Sequence, residues 1–180
     1  MQTFSEQRGL PFRYDGVLWP RLDGNKKPFD YQLNLQELIA LENDSAEKRA
    51  EWKRIAGEYS GTMSRAEYVY ICGAGLQTFH IDSKGRLSLC SKAQMVSYNL
   101  TQIPLKEAWE KIGDLRGLKR EKVNACRTCT LGALCPQCPG WSQSIYGDNE
   151  TPVDFLCEMA HIRCELLEKE YNIIINREDL

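Results

Sequence analysis

The sequence lacks any long apolar run and any excess of basic residues. No stretch of its 180 residues is apolar enough for a membrane span or for the core of a signal peptide, and the first ten residues, MQTFSEQRGL, are polar. Lys and Arg number 23 against 25 Asp and Glu, whereas dedicated nucleic-acid binders usually carry a basic face. We therefore expect a cytoplasmic protein with neither a membrane nor a nucleic acid as partner.

Cysteine is absent from the first 71 residues, and all eight cysteines lie between positions 72 and 164. This change in composition predicts a boundary near residue 70, with one unit at 1–70 and a second at 71–180. A reducing cytosol does not preserve disulfides, and clustered cysteines in that compartment more often bind metal. The second unit is therefore expected to bind metal.

Local patterns in the first unit predict one strand and two helices. Apolar and polar residues alternate over 10–15, which predicts a short strand followed by a loop. Asn34 with Glu37, and Asp44 with Glu47, have the spacing of a capping box, so each pair predicts a helix start.

The second unit combines a predicted hairpin with helices and a long loop. The segment LQTFHIDSKGRLSLC (76–90) predicts a β-hairpin whose turn places Gly85 at positive φ. Helical periodicity predicts helices over 104–118 and 151–171, while 119–150 lacks that periodicity and is predicted to be a loop. The expected fold class is α+β: a small loop-rich cysteine module with a β-hairpin and flanking helices, organised by metal clusters.

Four of the cysteines occur in ACRTCTLGALCPQCPGW (125–141) with the spacing C-x2-C-x5-C-x2-C. Thiolates select zinc or iron–sulfur clusters, and a C-x2-C turn lets two sulfurs converge on one centre. Two such pairs are the usual zinc pattern, but the linker between zinc pairs is normally much longer than the one found here. Short spacings are common in iron–sulfur proteins. The motif favours iron–sulfur and leaves a zinc site of these four cysteines as the alternative.

The complete set of cysteines resembles the SPASM domain, the C-terminal auxiliary iron–sulfur domain of radical S-adenosylmethionine peptide and sulfatase maturases. Cys72 is followed by Gly85, Cys90, the C-x2-C-x5-C-x2-C motif and Cys157 in the family's order. The flanking CPGW and DFLCEMAHIR are also similar to this family, and the resemblance covers roughly residues 70–165. It departs at one spacing, because two residues rather than three separate the last two cysteines of the motif.

The resemblance implies two 4Fe-4S clusters held by seven cysteines. The ligands implied for one cluster are Cys126, Cys129, Cys135 and Cys157. Those implied for the other are Cys72, Cys90 and Cys138. Because this second set is one cysteine short, a peptide substrate, water or a non-cysteine ligand is left to complete it. His80 is a candidate for that ligand, but a histidine in a hairpin is more often a surface residue, and we favour the surface interpretation.

Cys164 stands outside the implied ligand set. It lies seven residues after Cys157 on the same predicted helix, about 10 Å further along the axis at about 1.5 Å per residue, so one compact cluster does not easily take both. We interpret Cys164 as a small buried hydrophobe, with the role of fourth ligand at Cys72, Cys90 and Cys138 as the alternative. His161, on the same helix, is interpreted as a packing residue.

The resemblance also implies a role in a radical S-adenosylmethionine peptide-modifying enzyme, through substrate binding, electron transfer or both. The C-x3-C-x2-C motif of the radical-generating cluster is absent, and no Ser–His–Asp or paired-carboxylate site stands out. We therefore predict no catalytic residues here and expect a radical-generating barrel in cis or in trans, with a peptide or protein as substrate. Residues 1–70 resemble the end of such a barrel and its bridging helices, so we expect the C-terminal piece of a longer maturase. A zinc- or iron-stabilised interaction module without a redox role is the alternative.

Overall fold

A computed structural model describes residues 1–12, 14–58, 67–132 and 134–171, with the backbone alone for 56–58 and 171. These ranges contain six α-helices and one three-stranded antiparallel sheet, which confirms the predicted α+β class. The helices are α1 (Gln2–Glu6), α2 (Leu35–Glu42), α3 (Ala46–Glu58), α4 (Leu105–Asp114), α5 (Pro139–Tyr146) and α6 (Asp154–Tyr171). The strands are β1 (His80–Ile81), β2 (Arg86–Ser88) and β3 (Ser97–Asn99). The organising role of metal clusters stays a prediction.

The hairpin predicted at 76–90 is confirmed, although its strands are short. β1 pairs antiparallel with β2, and Ile81 lies opposite Leu87. Gly85 closes the turn with φ of 73°, a conformation that favours glycine. β3 was not predicted; it pairs with the other edge of β2, where Leu87 lies opposite Tyr98. The sheet therefore buries Leu87 at its centre.

The two predicted helix starts near the N-terminus differ in how they are capped. At α2 the Glu37 N–H donates to the Asn34 side chain at 2.9 Å and the Asn34 N–H donates to the Glu37 carboxylate at 3.3 Å, so the predicted capping box is confirmed. At α3 the residue that accepts from the Lys48 N–H is Ser45, at 3.3 Å. Asp44 instead pairs with the Lys48 ammonium at 2.8 Å. The prediction of Asp44 as the cap is wrong because a better placed hydroxyl follows it.

The strand predicted at 10–15 is wrong. Residues 10–12 and 14–15 form no strand, and the sheet of the described ranges consists of β1, β2 and β3 alone. A strand needs a neighbouring backbone to satisfy its N–H and C=O groups, and apolar alternation by itself does not supply one.

The segment 119–150, predicted to be a loop, contains the helix α5. Pro139 occupies its first turn and Gly147, at φ of 76°, ends it, so both boundaries follow the usual asymmetry of helix termini. The helix has only eight residues, and its main apolar positions are Trp141 and Ile145. Such a short element gives too little periodicity to be recognised against the surrounding loop.

Three apolar cores hold these elements together. The first lies between the sheet and α4 and includes Leu87, Leu89, Ala108 and Ile112. The second joins α2 to α5 and α6 around the buried indole of Trp141. The third packs α6 against Leu131 and Leu134. None of the helices in the described ranges combines the length and the apolar content needed to cross a bilayer.

Arg163 is a buried cation on α6 with partners on three sides. Its Nε donates to the Glu42 carboxylate at 2.8 Å, and its Nη1 donates to the Leu134 carbonyl oxygen at 2.8 Å. The guanidinium also lies 4.8 Å from the ring centroid of Trp52. Arg163 therefore ties α2 and α3 to α6, and it anchors the backbone immediately before Cys135.

Candidate metal centres

Four cysteines surround one cavity, which we call the four-cysteine cavity. Cys126, Cys129, Cys135 and Cys157 all line this space, whose volume is about 140 Å³. The rest of the lining is mostly apolar, with Ala125, Leu131, Pro152 and Ala160 among the contributing residues. Cys138 is not part of the lining. The C-x2-C-x5-C-x2-C motif therefore does not close on itself as the zinc alternative requires.

The cavity is built from a tight turn and the first turn of a helix. Cys126 lies in a 3-10 turn (Ala125–Arg127) whose start is capped by Asn124, which accepts the Cys126 N–H at 3.1 Å. Cys157 lies near the start of α6, where its N–H donates to the Val153 carbonyl at 3.1 Å. The helix thus brings Cys157 to a loop that precedes it in sequence by about thirty residues.

A set of polar contacts, which we call the acidic clasp, fastens this loop. The Glu150 carboxylate accepts the N–H groups of Glu121 at 3.0 Å and Lys122 at 3.2 Å. The side-chain amide of Asn124 donates to the Glu150 carbonyl at 2.9 Å, and the Lys122 ammonium pairs with Asp148 at 2.9 Å. A carboxylate that accepts two backbone N–H groups forms charge-assisted bonds. The clasp therefore orients the turn that carries Cys126.

Asp148 is itself held as an anion. Burial raises the pKa of its carboxyl, but hydrogen bonds from the Thr151 hydroxyl, the Lys122 ammonium and nearby backbone N–H groups outweigh this effect and lower the pKa below its usual value. Asp148 consequently keeps its charge at neutral pH, where it pairs with Lys122.

The Cys157 thiol of the four-cysteine cavity disfavours negative charge. Burial raises the pKa of the Cys157 thiol, and the neighbouring Cys129, Cys126 and Asp154 raise it further. Several thiolates can share so small a space only if a positive centre offsets their repulsion, and metal binding supplies that centre while releasing protons. That the four thiols bind a metal centre stays a prediction.

The other three predicted ligands form a second group, the three-cysteine site. Burial raises the pKa of the Cys138 thiol, the N–H groups of Trp141 and Gly140 oppose this effect, and the neighbouring Cys90 and Cys72 raise it. The same three thiols affect Tyr70, because burial together with Cys90, Cys138 and Cys72 raises its pKa to about 12. Cys72, Cys90 and Cys138 therefore lie near enough for their charges to influence one another.

The three-cysteine site draws its residues from three distant segments. Cys72 lies in an exposed loop whose carbonyl oxygens at Cys72 and Ala74 accept from Arg116 at 2.5 and 2.6 Å. Cys90 follows β2, and Cys138 directly precedes α5. Long-range packing, rather than a local motif, assembles this site.

Both groups suit an iron–sulfur cluster better than a single ion. None of the eight cysteines, all of which lie in the described ranges, forms a disulfide. Within the described part of the chain, no three His, Cys, Asp or Glu side chains converge closely enough to hold one metal ion. The four-cysteine cavity also exceeds the roughly 10–15 Å³ that one water needs. Because a cluster of several atoms separates its thiolates more than one ion does, these donor sets fit clusters, with four sulfurs at the first site and three at the second.

Cys164 occupies a different environment from the seven predicted ligands. It is buried in the third core, where Cys129 and Cys135 pack nearby. This position is beside the four-cysteine cavity, and the cavity lining does not include Cys164. The placement favours the interpretation of Cys164 as a buried apolar residue over a role at the three-cysteine site.

The two histidines are placed differently from one another. His80 lies in β1, opposite Ser88. His161 is exposed and lines the four-cysteine cavity one helical turn after Cys157, so its interpretation as a packing residue is wrong. Its spacing of four residues from Cys157 was the available signal, because residues at this spacing share a helix face.

Comparison with known families supports part of this assignment. Residues 72–130 match the SPASM family, described as an iron-sulfur cluster-binding domain. The match includes Cys72, Cys90, Cys126 and Cys129, and it ends before the remaining predicted ligands. No curated protein and no solved structure matches the chain.

Proposed function

We propose that the chain is the auxiliary cluster-binding part of a radical S-adenosylmethionine peptide-modifying enzyme, a proposal supported by the match of residues 72–130 to the SPASM iron–sulfur cluster-binding domain. It holds two 4Fe-4S clusters, one at the four-cysteine cavity and one at the three-cysteine site. A peptide or protein is the substrate, and the cytoplasm is the compartment in which these thiols stay reduced.

The observation that carries this proposal is the division of seven cysteines into two spatial groups. Four line one cavity and three share a second electrostatic environment. A domain with one structural zinc would need four thiols around one ion, whereas the described residues contain no single-ion cluster of three or more ligands. Two separate thiol groups support two separate clusters.

The proposed division of labour follows from the motifs that the chain contains and lacks. The sequence has no C-x3-C-x2-C motif, so a barrel in cis or in trans generates the radical in this proposal. When bound, each cluster supplies one-electron redox chemistry. The residues of this chain hold the thiolates in place, shield the three-cysteine site with Tyr70 and the first core, and leave Cys72 exposed. An exposed ligand loop supports contact with a substrate or a redox partner there.

Anaerobic reconstitution of the full chain with iron and sulfide tests the proposal. We expect about eight irons per chain, the content of two four-iron clusters, and about four in Cys90→Ala. Cys164→Ala is the matched control and should retain the content of the parent. One or two zinc ions with no iron-dependent absorbance would overturn the proposal and identify a metal-stabilised interaction module.

A second assay tests the assignment of radical generation to another part of the enzyme. The reconstituted chain, treated with a strong reductant and S-adenosylmethionine, is expected to release no 5′-deoxyadenosine above a protein-free control. Release of this product by the chain alone would contradict the proposed division of labour, while leaving the cluster-binding assignment intact.

A further inference from the structure

Two backbone N–H groups point at the Cys90 thiol. The N–H groups of Lys92 and Ala93 donate to its Sγ at 3.4 and 3.3 Å. Both donors lie in the segment that follows β2, two and three residues after Cys90, so the chain turns back over the sulfur directly after this residue. Cys90 is thereby provided with two donors that favour a negatively charged sulfur.

Cys138 lies at the start of a different segment of the same site. It directly precedes α5, and the Trp141 N–H donates to its carbonyl oxygen at 3.0 Å. The backbone donors that act directly on a sulfur of the three-cysteine site are therefore the N–H groups of Lys92 and Ala93, at Cys90.

Gly140 is the point at which the segment that carries these two donors meets the start of α5. A Cβ atom at Gly140 would lie 2.8 Å from the carbonyl carbon and oxygen of Lys92 and 3.0 Å from the nitrogen of Ala93. All three contacts are with backbone atoms, so no side-chain rotation can relieve them. The peptide unit that Gly140 touches is the one whose N–H donates to Cys90. Glycine is required here for the close approach of two backbones.

We propose that Gly140 is a positioning residue that raises the reduction potential of the cluster at the three-cysteine site. It allows the 92–93 backbone to pass close to the start of α5 while the N–H groups of Lys92 and Ala93 reach the Cys90 sulfur. Hydrogen bonds to cluster sulfurs are one of the factors that set the potential, because they stabilise the more negative, reduced state. The inference rests on the proposed function, since it presupposes a cluster at this site.

The test is an EPR-monitored redox titration of the reconstituted full chain carrying Gly140→Ala. The matched control is Gly113→Ala in α4, where an added Cβ meets nothing within 4 Å. We expect Gly140→Ala to lower the reduced-to-oxidised ratio of one cluster about tenfold at a fixed potential, a shift of about 59 mV for a one-electron couple. The other cluster and both clusters of the control should keep the parent potentials. Cys90→Ala and Cys157→Ala assign the two signals to their sites.

Iron content decides the result if the variant does not retain both clusters. Loss of about four irons, with the four-cysteine cluster at its parent potential, supports local positioning by Gly140. Unchanged potentials at full iron content overturn the inference, and so does loss of iron from both sites, which would indicate a general folding defect. A parent chain that binds no iron refutes the proposed function itself, so the two failures are distinguishable.

Discussion

The four-cysteine cavity and the three-cysteine site stabilise their thiols by different means. The cavity is held by charged and polar side chains, namely the acidic clasp on one side and Arg163 on the other. At the three-cysteine site the Arg116 side chain holds the Cys72 loop, while Cys90 is contacted by backbone N–H groups and by the first apolar core. The first region therefore depends mainly on side-chain contacts, and the second depends more strongly on the course of the main chain.

Because of this difference, we expect each site to be sensitive to a different kind of substitution. Side-chain substitutions at Glu42 or Glu150 should disturb the cavity first, because these residues contact the backbone or the cation that orients its loop. The three-cysteine site should respond instead to changes that alter backbone approach, such as Gly140→Ala. The substitutions below test the contrast in order of decreasing expected effect.

The largest effect is expected for Cys157→Ala, which removes a thiol that lines the four-cysteine cavity. We expect loss of about four of about eight irons, because a four-iron cluster normally takes four protein ligands. Iron counting and EPR after anaerobic reconstitution measure this loss. Cys164→Ala should stay near the parent value. Equal losses in the two variants would mean that both cysteines are ligands.

The next largest effect is expected for Glu42→Gln, which leaves the buried Arg163 cation without its counter-charge. Removal of one partner from a buried ion pair lowers the free energy of unfolding by about 3–5 kcal/mol. The amide of the introduced glutamine can still accept a hydrogen bond from Arg163, so we expect a loss near the lower end of this range. Chemical denaturation of the full chain measures the free energy of unfolding. Glu107→Gln is the control, since its pair with Lys111 is exposed. A similar destabilisation by both variants would show that Arg163 does not need this partner.

Glu150→Gln should weaken the acidic clasp to a smaller degree. The amide oxygen of glutamine can still accept one of the two N–H groups, so we expect a loss of about 1.5 kcal/mol, the lower value for hydrogen bonds to a charged group. Iron should leave the four-cysteine cavity faster under a chelator, while the three-cysteine cluster keeps the rate of the parent. Glu110→Gln, exposed on α4, is the control. Equally faster iron loss from both sites would contradict the proposed difference in how the two sites are stabilised.

The smallest effect is expected for Glu67→Gln, which breaks the exposed ion pair with Lys119 beside the bridge between Tyr68 and Lys119. Exposed pairs contribute little because water screens them and both long side chains lose freedom. Thermal unfolding and iron content should both match the parent. A clear loss of iron from the three-cysteine site would show that side-chain charges support that region as well.

Local structure with a short-range cause could be predicted from the sequence. The capping box of Asn34 and Glu37 and the turn at Gly85 involve residues within a few positions of each other, and both are confirmed. The strand at 10–15 failed because its partner would have to come from elsewhere in the fold. α5 was missed because eight residues carry too little periodicity.

The candidate site shows the same limit at a larger scale. Cysteine spacing indicated metal ligation, and it left open whether Cys138 completes a zinc site with its neighbours in the motif or belongs elsewhere. The structure places Cys138 near enough to Cys72 and Cys90 for their charges to interact, while Cys157 lines the four-cysteine cavity. That these thiols are cluster ligands stays a prediction. For His161, the four-residue spacing from Cys157 was the one local signal that it neighbours the cavity.

The sequence by itself determined the chemistry of this protein: thiols in a cysteine-rich segment, a hairpin turn that requires Gly85, and the absence of the C-x3-C-x2-C motif. These properties depend on residue type and on neighbours in the chain. Only the tertiary structure decided which thiols share a site, how Arg163 bridges α2 and α6, and why position 140 must be glycine. Each of these depends on packing between segments far apart in sequence. At position 140 the two backbones approach so closely that a Cβ atom would overlap the 92–93 peptide unit.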